Sequence, residues 1–444
     1  MKNLEDLKGL HIYFIGIGGI SMSGLAKLTA HFGAKVSGSD LSNTNSQHEK
    51  LAALGVKINH SHNAENITKD IELVVYTSAI SKDNPEYLRS LELGIRTIER
   101  SEFLGEIASL YDNVIAISGT HGKTTTTAIL GEVLIEAGLK PTIHLGGESN
   151  NLRDNTIVGA RQYLVLEACE YKESFKYLRP HISVITNIEL DHLDYYKDYA
   201  SIERAFNNFA QNSKNLVAPK DCKIEHKNRC ILFEDWQVCN LEFVDGGYNY
   251  NVLYKGVFYG EFRLNMLGVH NVHNSLFAIA VADILGIEKE VVFRAVAGFK
   301  GVGRRYETIY TFDSGCRVII DYAHHYTEIE NSVRGIADVY KQILIIFQPH
   351  TYSRTQKLFD EFVSTLSKYD SVVMFKTYPA REEEIKGGTA EDLFNAITTK
   401  DKLYFSEVDR VCEYIQNIEN SYDCILILGA GDLAENLKLR LQNL

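Results

Sequence analysis

Apolar residues along the chain gather into short unbroken runs, separated by stretches in which they recur every three or four positions. That is the pattern of buried strands alternating with amphipathic helices. HIYFIGIG at 11–18 reads as a buried strand ending in a glycine turn, and the apolar spacing of SMSGLAKLTAHFG from Ser21 predicts a helix stopped by Gly33. AKVSGSD follows as a second strand, and LVVYTSAI (73–80) and IRTIE (95–99) repeat the signal. The opening segment, 1–110, therefore reads as a small parallel-sheet domain.

From Asn113, NVIAISGTHGKTTTTAILGEVLIEAG reads as strand, glycine-bounded loop and helix, ended by Gly138. YLVLEA (163–168) and ISVITNI (182–188) continue this second domain, 111–310. Its stretch 216–265 alternates in short segments broken by turn residues, which predicts β-structure, and VHNSLFAIAVADILG returns to a helix ending at Gly286. Beyond it, CRVIID, QILIIFQ, SVVMFK and DCILILG alternate with helical segments, giving a third, doubly wound domain over 311–444.

The composition suits such a chain: 444 residues, 45% hydrophobic and 23% charged, with six prolines and no biased tract. A formal net charge of −12 argues against general attraction to nucleic acid or anionic membrane, so any anion site must be local. The longest apolar stretches fall well short of the roughly 20 residues that span a bilayer, and a soluble, cytoplasmic protein is expected. Seven cysteines are scattered, odd in number and never spaced CxxC. Neither a disulfide framework nor a zinc site is indicated, and each reads as a small buried hydrophobe.

The strongest chemical signal is Gly119-Thr120-His121-Gly122-Lys123-Thr124-Thr125 between a predicted strand and helix. It is shorter than GxxxxGK[ST], yet the physics is kept: glycines turn backbone N–H groups toward phosphate, Lys123 reaches the transferring phosphoryl group, and Thr124 can ligate Mg²⁺. ATP binding follows. GIGGISMSG resembles a dinucleotide fingerprint, with Gly16, Gly18 and Gly19, Ser21 where a third glycine would stand, and Asp40 ending the next strand. Close strand-to-helix packing would explain it as well, and it does not distinguish NAD from a UDP-sugar.

Glu167 and Glu170 end one strand, and Glu189, Asp191, His192 and Asp194 follow another. Such ligands suit magnesium, which a phosphate loop requires nearby. Asn271 and Asn274 lie three apart at the start of an apolar helix, where Asn271 could equally be a cap. Arg304 and Arg305, His324 and His325 near Asp321, and His350 with Arg354 after a strand complete the polar clusters.

Taken in order, GIGGISMSG, SGSD, SGTHGKTTTT, EACEY, TNIELDHLDYY, GVHNVHN, GVGRRYE, DYAHHYTEI, FQPHTYSRT, TYPARE and LGAGD resemble the Mur ligase family over nearly the whole chain. The resemblance implies an α/β protein with an N-terminal Rossmann-like UDP-binding domain, a central P-loop ATPase-like domain and a C-terminal Rossmann-like domain that positions an amino acid. It implies Gly16, Gly18, Gly19, Ser21 and Asp40 on the sugar nucleotide. ATP falls to the 119–125 loop with Asn271, Asn274, Arg304, Arg305 and Asp321, and Mg²⁺ to Thr124, Glu167 and His192. Lys123, His192, His350 and Arg354 are implied at the chemistry.

Within the family the glycine loop resembles the branch that adds L-alanine to the lactyl carboxylate of UDP-N-acetylmuramic acid, acting as a monomer or homodimer. The alternative is the branch that attaches a preformed tripeptide to the same sugar nucleotide. Two departures stand out: EACEYK where the family carries EADESD, and Tyr326 in place of proline after the histidine pair. A nicotinamide oxidoreductase would leave the GKT loop unexplained, and a non-enzymatic nucleotide sensor would not need Glu167, His192 and His350.

Overall fold

The computed structural model describes residues 3–42, 46–192, 195–337, 339–380 and 382–442. The first sheet has five parallel strands, β1 (His11–Ile15), β2 (Lys35–Ser39), β3 (Lys57–Asn59), β4 (Leu73–Tyr76) and β5 (Arg96–Glu99), in the order β3-β2-β1-β4-β5. Its central strand is buried along its whole length, as a strand covered by helices on both faces must be. β4 is shorter than the run LVVYTSAI, because Thr77–Ile80 closes a turn.

The second sheet contains β6 (Asn113–Ser118), β7 (Thr142–Ser149), β8 (Asp154–Ile157), β9 (Tyr163–Glu167), β10 (Ile182–Ile185), β11 (Asn215–Pro219), β12 (Arg229–Leu232), β13 (Trp236–Val244), β14 (Gly247–Tyr254) and β15 (Val257–Leu264). Their order is β15-β14-β13-β12-β11-β10-β6-β9-β7-β8. The β-rich expectation for 216–265 is met by β11 to β15, whereas the hairpin β7–β8 was not expected.

The third sheet holds β16 (Glu307–Thr311), β17 (Arg317–Asp321), β18 (Ile343–Phe347), β19 (Ser371–Phe375), β20 (Asp401–Phe405) and β21 (Cys424–Leu428), in the order β16-β17-β21-β18-β19-β20. Only β16 runs antiparallel to its neighbour.

The chain forms two compact units. Met1–Glu242, Asn249–Leu264 and His273–Lys300 make one; Phe243–Tyr248, Asn265–Val272 and Gly301–Leu444 make the other. In the first unit a single hydrophobic core joins the first two sheets: Phe14 and Leu25, Phe103 and Ile107 of the helix Arg100–Ala108, and Leu164 and Phe206 belong to one cluster. In the second unit the core lies about β17, β18 and β21. Among the described residues no helix is long and apolar enough to cross a membrane.

Candidate active site

The glycine loop after β1 is held by its own sheet. Gly16, at φ +83°, and Ile17 donate their N–H groups to the Ser39 carbonyl at 2.8 and 2.9 Å. Gly19 caps the helix Ile20–His31 and is exposed, which leaves a helix N-terminus open to an anion. Asp40 is already engaged: Oδ2 accepts the Gly18 N–H at 2.8 Å, and Oδ1 accepts from the Ser42 N–H at 2.9 Å and its hydroxyl. Burial alone would raise this carboxyl, but those hydrogen bonds outweigh it and hold it below its ordinary value. A side chain at Gly18 would collide with the ring of His48 and with Asp40.

The 119–125 loop lies between β6 and the helix Lys123–Glu136, with Gly119 and Gly122 at φ +133° and +83°. The segment after β10 braces it, which is why that strand stops at Ile185. Asn187 Oδ1 accepts the His121 N–H at 2.9 Å, its Nδ2 donates to the His121 carbonyl at 3.0 Å, and the Thr186 hydroxyl donates to the same carbonyl. A Cβ on Gly122 would overlap the Asn274 amide, so that asparagine packs against the loop. Thr124 and Thr125 sit in the helix's first turn. No local pattern signals the bracing by Thr186 and Asn187, since the partners are more than sixty residues apart.

Lys123 Nζ lies 3.0 Å from both carboxylate oxygens of the buried Glu170 and donates to the carbonyls of Gly119 and Thr120. Burial opposes its charge, but Glu170, with Cys169 and Glu167 further out, outweighs burial and holds its pKa above the ordinary lysine value. Burial likewise raises Glu170, and Lys123 and His192 reverse that, leaving it lowered. His192, at φ +54°, brings Nε2 to 3.5 Å from Glu170, and its N–H donates to Asp191 Oδ1 at 2.6 Å. Glu167 Oε1 accepts the Gly146 N–H of β7 at 2.6 Å.

Lys123 and His192 thus meet at Glu170, with Glu167 in electrostatic reach of Lys123. Glu189 turns instead to His121, at 3.2 Å, and Asp194 lies outside the described residues. The departure Cys169 sits in this turn with its thiol pushed up to about 11, first by burial and then by Glu170.

In the second unit Asn271 is the third residue of the helix Val269–Ile284, past the cap position, and its Nδ2 donates to the Leu267 carbonyl at 2.8 Å. Arg304 Nη2 donates to the carbonyls of Gly429 and Gly431 at 2.9 and 2.8 Å, and both Arg304 and Arg305 lie over the Tyr322 ring. Asp321 is buried and accepts from Ser332 Oγ, the Ala323 N–H and the Tyr306 N–H. Burial raises its pKa despite Arg305.

His350 stacks on Tyr378, lies 5.8 Å from the His324 ring, and has Arg354 Nη1 3.3 Å from its Nδ1. Burial, then His324, Arg354 and Arg304, push it down to about 3. Glu328 accepts the N–H groups of both His324 and His325. Tyr326 opens the helix Tyr326–Ala337, a place where proline is favoured but not required.

Three family models match the chain: Mur ligase family, catalytic domain, over residues 11–112; Mur ligase middle domain over 117–282; and Mur ligase, glutamate ligase domain, over 304–431. A protein of Caldanaerobacter subterraneus subsp. tengcongensis named UDP-N-acetylmuramate–L-alanine ligase is 39% identical, covering 98% of this chain and 97% of its own. One of the same name from Lachnospira eligens is 38% identical, covering 98% of each. The crystal structure of UDP-N-acetylmuramate-alanine ligase from Thermotoga maritima is similar with TM-score 0.84 and 28% identity, over 98% of both chains. A murein peptide ligase from Psychrobacter arcticus, also over 98% of both, has TM-score 0.76 and 25% identity.

Proposed function

The chain belongs to the Mur ligase family, and from that premise we propose that it joins L-alanine to the lactyl carboxylate of UDP-N-acetylmuramic acid, using ATP and Mg²⁺, in the cytoplasm. The observation that carries this reading is the gathering of Lys123, Glu167, Glu170 and His192 behind a phosphate loop, in a chain alike from end to end to alanine-adding relatives. In this reading residues 1–110 bind the sugar nucleotide, 111–310 bind ATP, and 311–444 position the amino acid.

A carboxylate does not condense with an amine in neutral water, because it lacks a leaving group. Transfer of the ATP γ-phosphoryl group to the lactyl carboxylate supplies one, and the alanine amine then displaces phosphate to form the amide. Lys123, kept charged by Glu170, meets the negative charge that moves during the first step. The Gly119–Thr125 backbone orients the phosphates. Thr124 and Glu167 offer the oxygen ligands a hard cation prefers, with His192 beside Glu170, and Mg²⁺ held there would supply charge neutralisation on the phosphates.

Burial, His324, Arg354 and Arg304 hold His350 down to about 3, which favours a role with Arg354 in orienting substrate over one in taking the proton of the alanine ammonium. Asn274 holds the phosphate loop by packing on Gly122. Asn271, Arg304, Arg305 and Asp321 are the further residues read as nucleotide-binding.

The test is incubation of the whole chain with UDP-N-acetylmuramic acid, ATP and Mg²⁺, offering in turn L-alanine, L-serine, glycine and the tripeptide, with phosphate and product mass measured. Phosphate release coupled to L-alanine addition is expected. Preferred use of the tripeptide would move the chain to the recycling branch, and NADH turnover without ATP consumption would overturn ligation altogether.

A further inference from the structure

Arg100 is an unusual cation. It opens the helix Arg100–Ala108, where the positive end of the helix dipole disfavours a positive charge, and it is half-buried. Among the described residues no carboxylate pairs with it; its Nη1 donates only to Ser21 Oγ, at 3.2 Å. An arginine kept this way, with most of its fork unused, suits an oxyanion. It stands beside the glycine loop, and its field also reaches Cys169 in the turn that carries Glu167 and Glu170.

Ser21 is tied in turn to the second sheet. Its Oγ lies 3.0 Å from His144 Nε2, and His144 Nδ1 lies 3.1 Å from Thr156 Oγ1, on β7 and β8. The ring reaches Ser21 through a slot left by Gly24, where a Cβ would stand 2.6 Å from His144 Cε1. Burial, then Arg100 and Lys27, push His144 down to about 3, so the ring is neutral. Arginine can only donate, so Ser21 Oγ accepts from Arg100. The assignment that uses each donor once has the Ser21 proton on His144 Nε2 and the His144 Nδ1–H donated to Thr156.

We propose that Thr156, His144 and Ser21 form a positioning relay that holds the Arg100 guanidinium toward an anionic oxygen of the sugar nucleotide, on its pyrophosphate or its lactyl carboxylate. The proposal rests on the sugar-nucleotide reading above and adds to it residues from the hairpin β7–β8. The neutral imidazole fixes the serine, and the serine fixes one arm of the fork. The other N–H groups stay available to the ligand.

Calorimetric titration of the whole chain tests this with UDP-N-acetylmuramic acid and with UDP-N-acetylglucosamine, which has the pyrophosphate but no lactyl carboxylate. Arg100→Met is expected to weaken binding of UDP-N-acetylmuramic acid roughly thirtyfold and His144→Val about tenfold, with ATP binding unchanged in both. In the Arg100→Met background His144→Val should cost less than about twofold, since nothing remains to be aimed.

Loss toward both nucleotides assigns the pyrophosphate, and loss toward UDP-N-acetylmuramic acid alone assigns the carboxylate. Should His144→Val melt too low to titrate, Ser21→Ala in the same cycle reads the relay at its half-buried middle. Additive losses in the double variant, or unchanged affinity in Arg100→Met, overturn it. A parent chain that binds no UDP-N-acetylmuramic acid overturns the functional reading itself and the relay with it.

Discussion

Lys123 and Glu170 each favour the other's charged form against burial, and the consequences of separating them differ for stability and for turnover. Lys123→Ala is expected to lower turnover by at least about a hundredfold, because it removes a charge that meets the moving phosphoryl group. It also strands a buried carboxylate, at a cost of roughly 3–5 kcal/mol. Adding Glu170→Gln should therefore restore most of the melting temperature while turnover stays low, and calorimetry beside phosphate release separates the two. At Glu167, exchange to Gln replaces a carboxylate with a poorer ligand for a hard cation, so the Mg²⁺ concentration needed for half-maximal rate should rise. An unchanged Mg²⁺ titration would leave Glu167 as the acceptor of the Gly146 N–H and nothing more. Lys123, Glu167 and His192 could be picked out as candidates because a phosphate loop and the ends of strands have local patterns. Arg100, His144, Thr186 and Asn187 were not, because what they do depends on partners 65 or more residues away.

At the scale of elements, the strands read most plainly from the chain are those buried on both faces, although the edge strand β5 was also read, as IRTIE. β1, β19 and β21 are buried at every position and appear as unbroken apolar runs. β3, β16 and β20 lie at or next to exposed edges, alternate weakly, and gave no run to read. β7 was hidden for another reason: Gly146 and Gly147 interrupt it where its backbone turns from the core to serve Glu167. The helices were legible through their glycine stops, Gly33, Gly138 and Gly286, all at positive φ. The junction of β6 with its helix depends on Gly122, whose φ of +83° and contact with Asn274 exclude a side chain on two separate grounds. Gly122→Ala should destabilise by about 1–3 kcal/mol and weaken ATP binding more than sugar-nucleotide binding, as parallel titrations would reveal. Equal losses for both ligands would mean a general loosening of the unit rather than a damaged loop.

Across the whole molecule, a histidine in each compact unit is driven to about 3, His144 in the first and His350 in the second, and burial is the leading cause in both. An unfolded histidine takes up its proton near pH 6.5, so below that value the unfolded chain binds protons that the folded units refuse. The folded pKa is the lower one. The stability these residues contribute is therefore fully present above about pH 6.5 and is lost as pH falls toward 3, at a slope of about 1.4 kcal/mol per pH unit for each residue. Glu170, also held low, adds to the loss only below the ordinary glutamate range, whereas Asp321, held high by burial, works in the opposite sense above the ordinary aspartate range; across the window between pH 6.5 and 4.5 it is therefore the change in slope on replacing each histidine that reports on that ring. Urea unfolding of the parent across that window should show steadily falling stability. His144→Val and His350→Gln should each flatten the slope, whatever they do to stability at neutral pH, because the valine and the glutamine take no proton in either state. Parent-like slopes in both variants would mean that these two rings gain protons in the folded chain as readily as in the unfolded one, and that the neutral imidazole required between Ser21 and Thr156 is not maintained there.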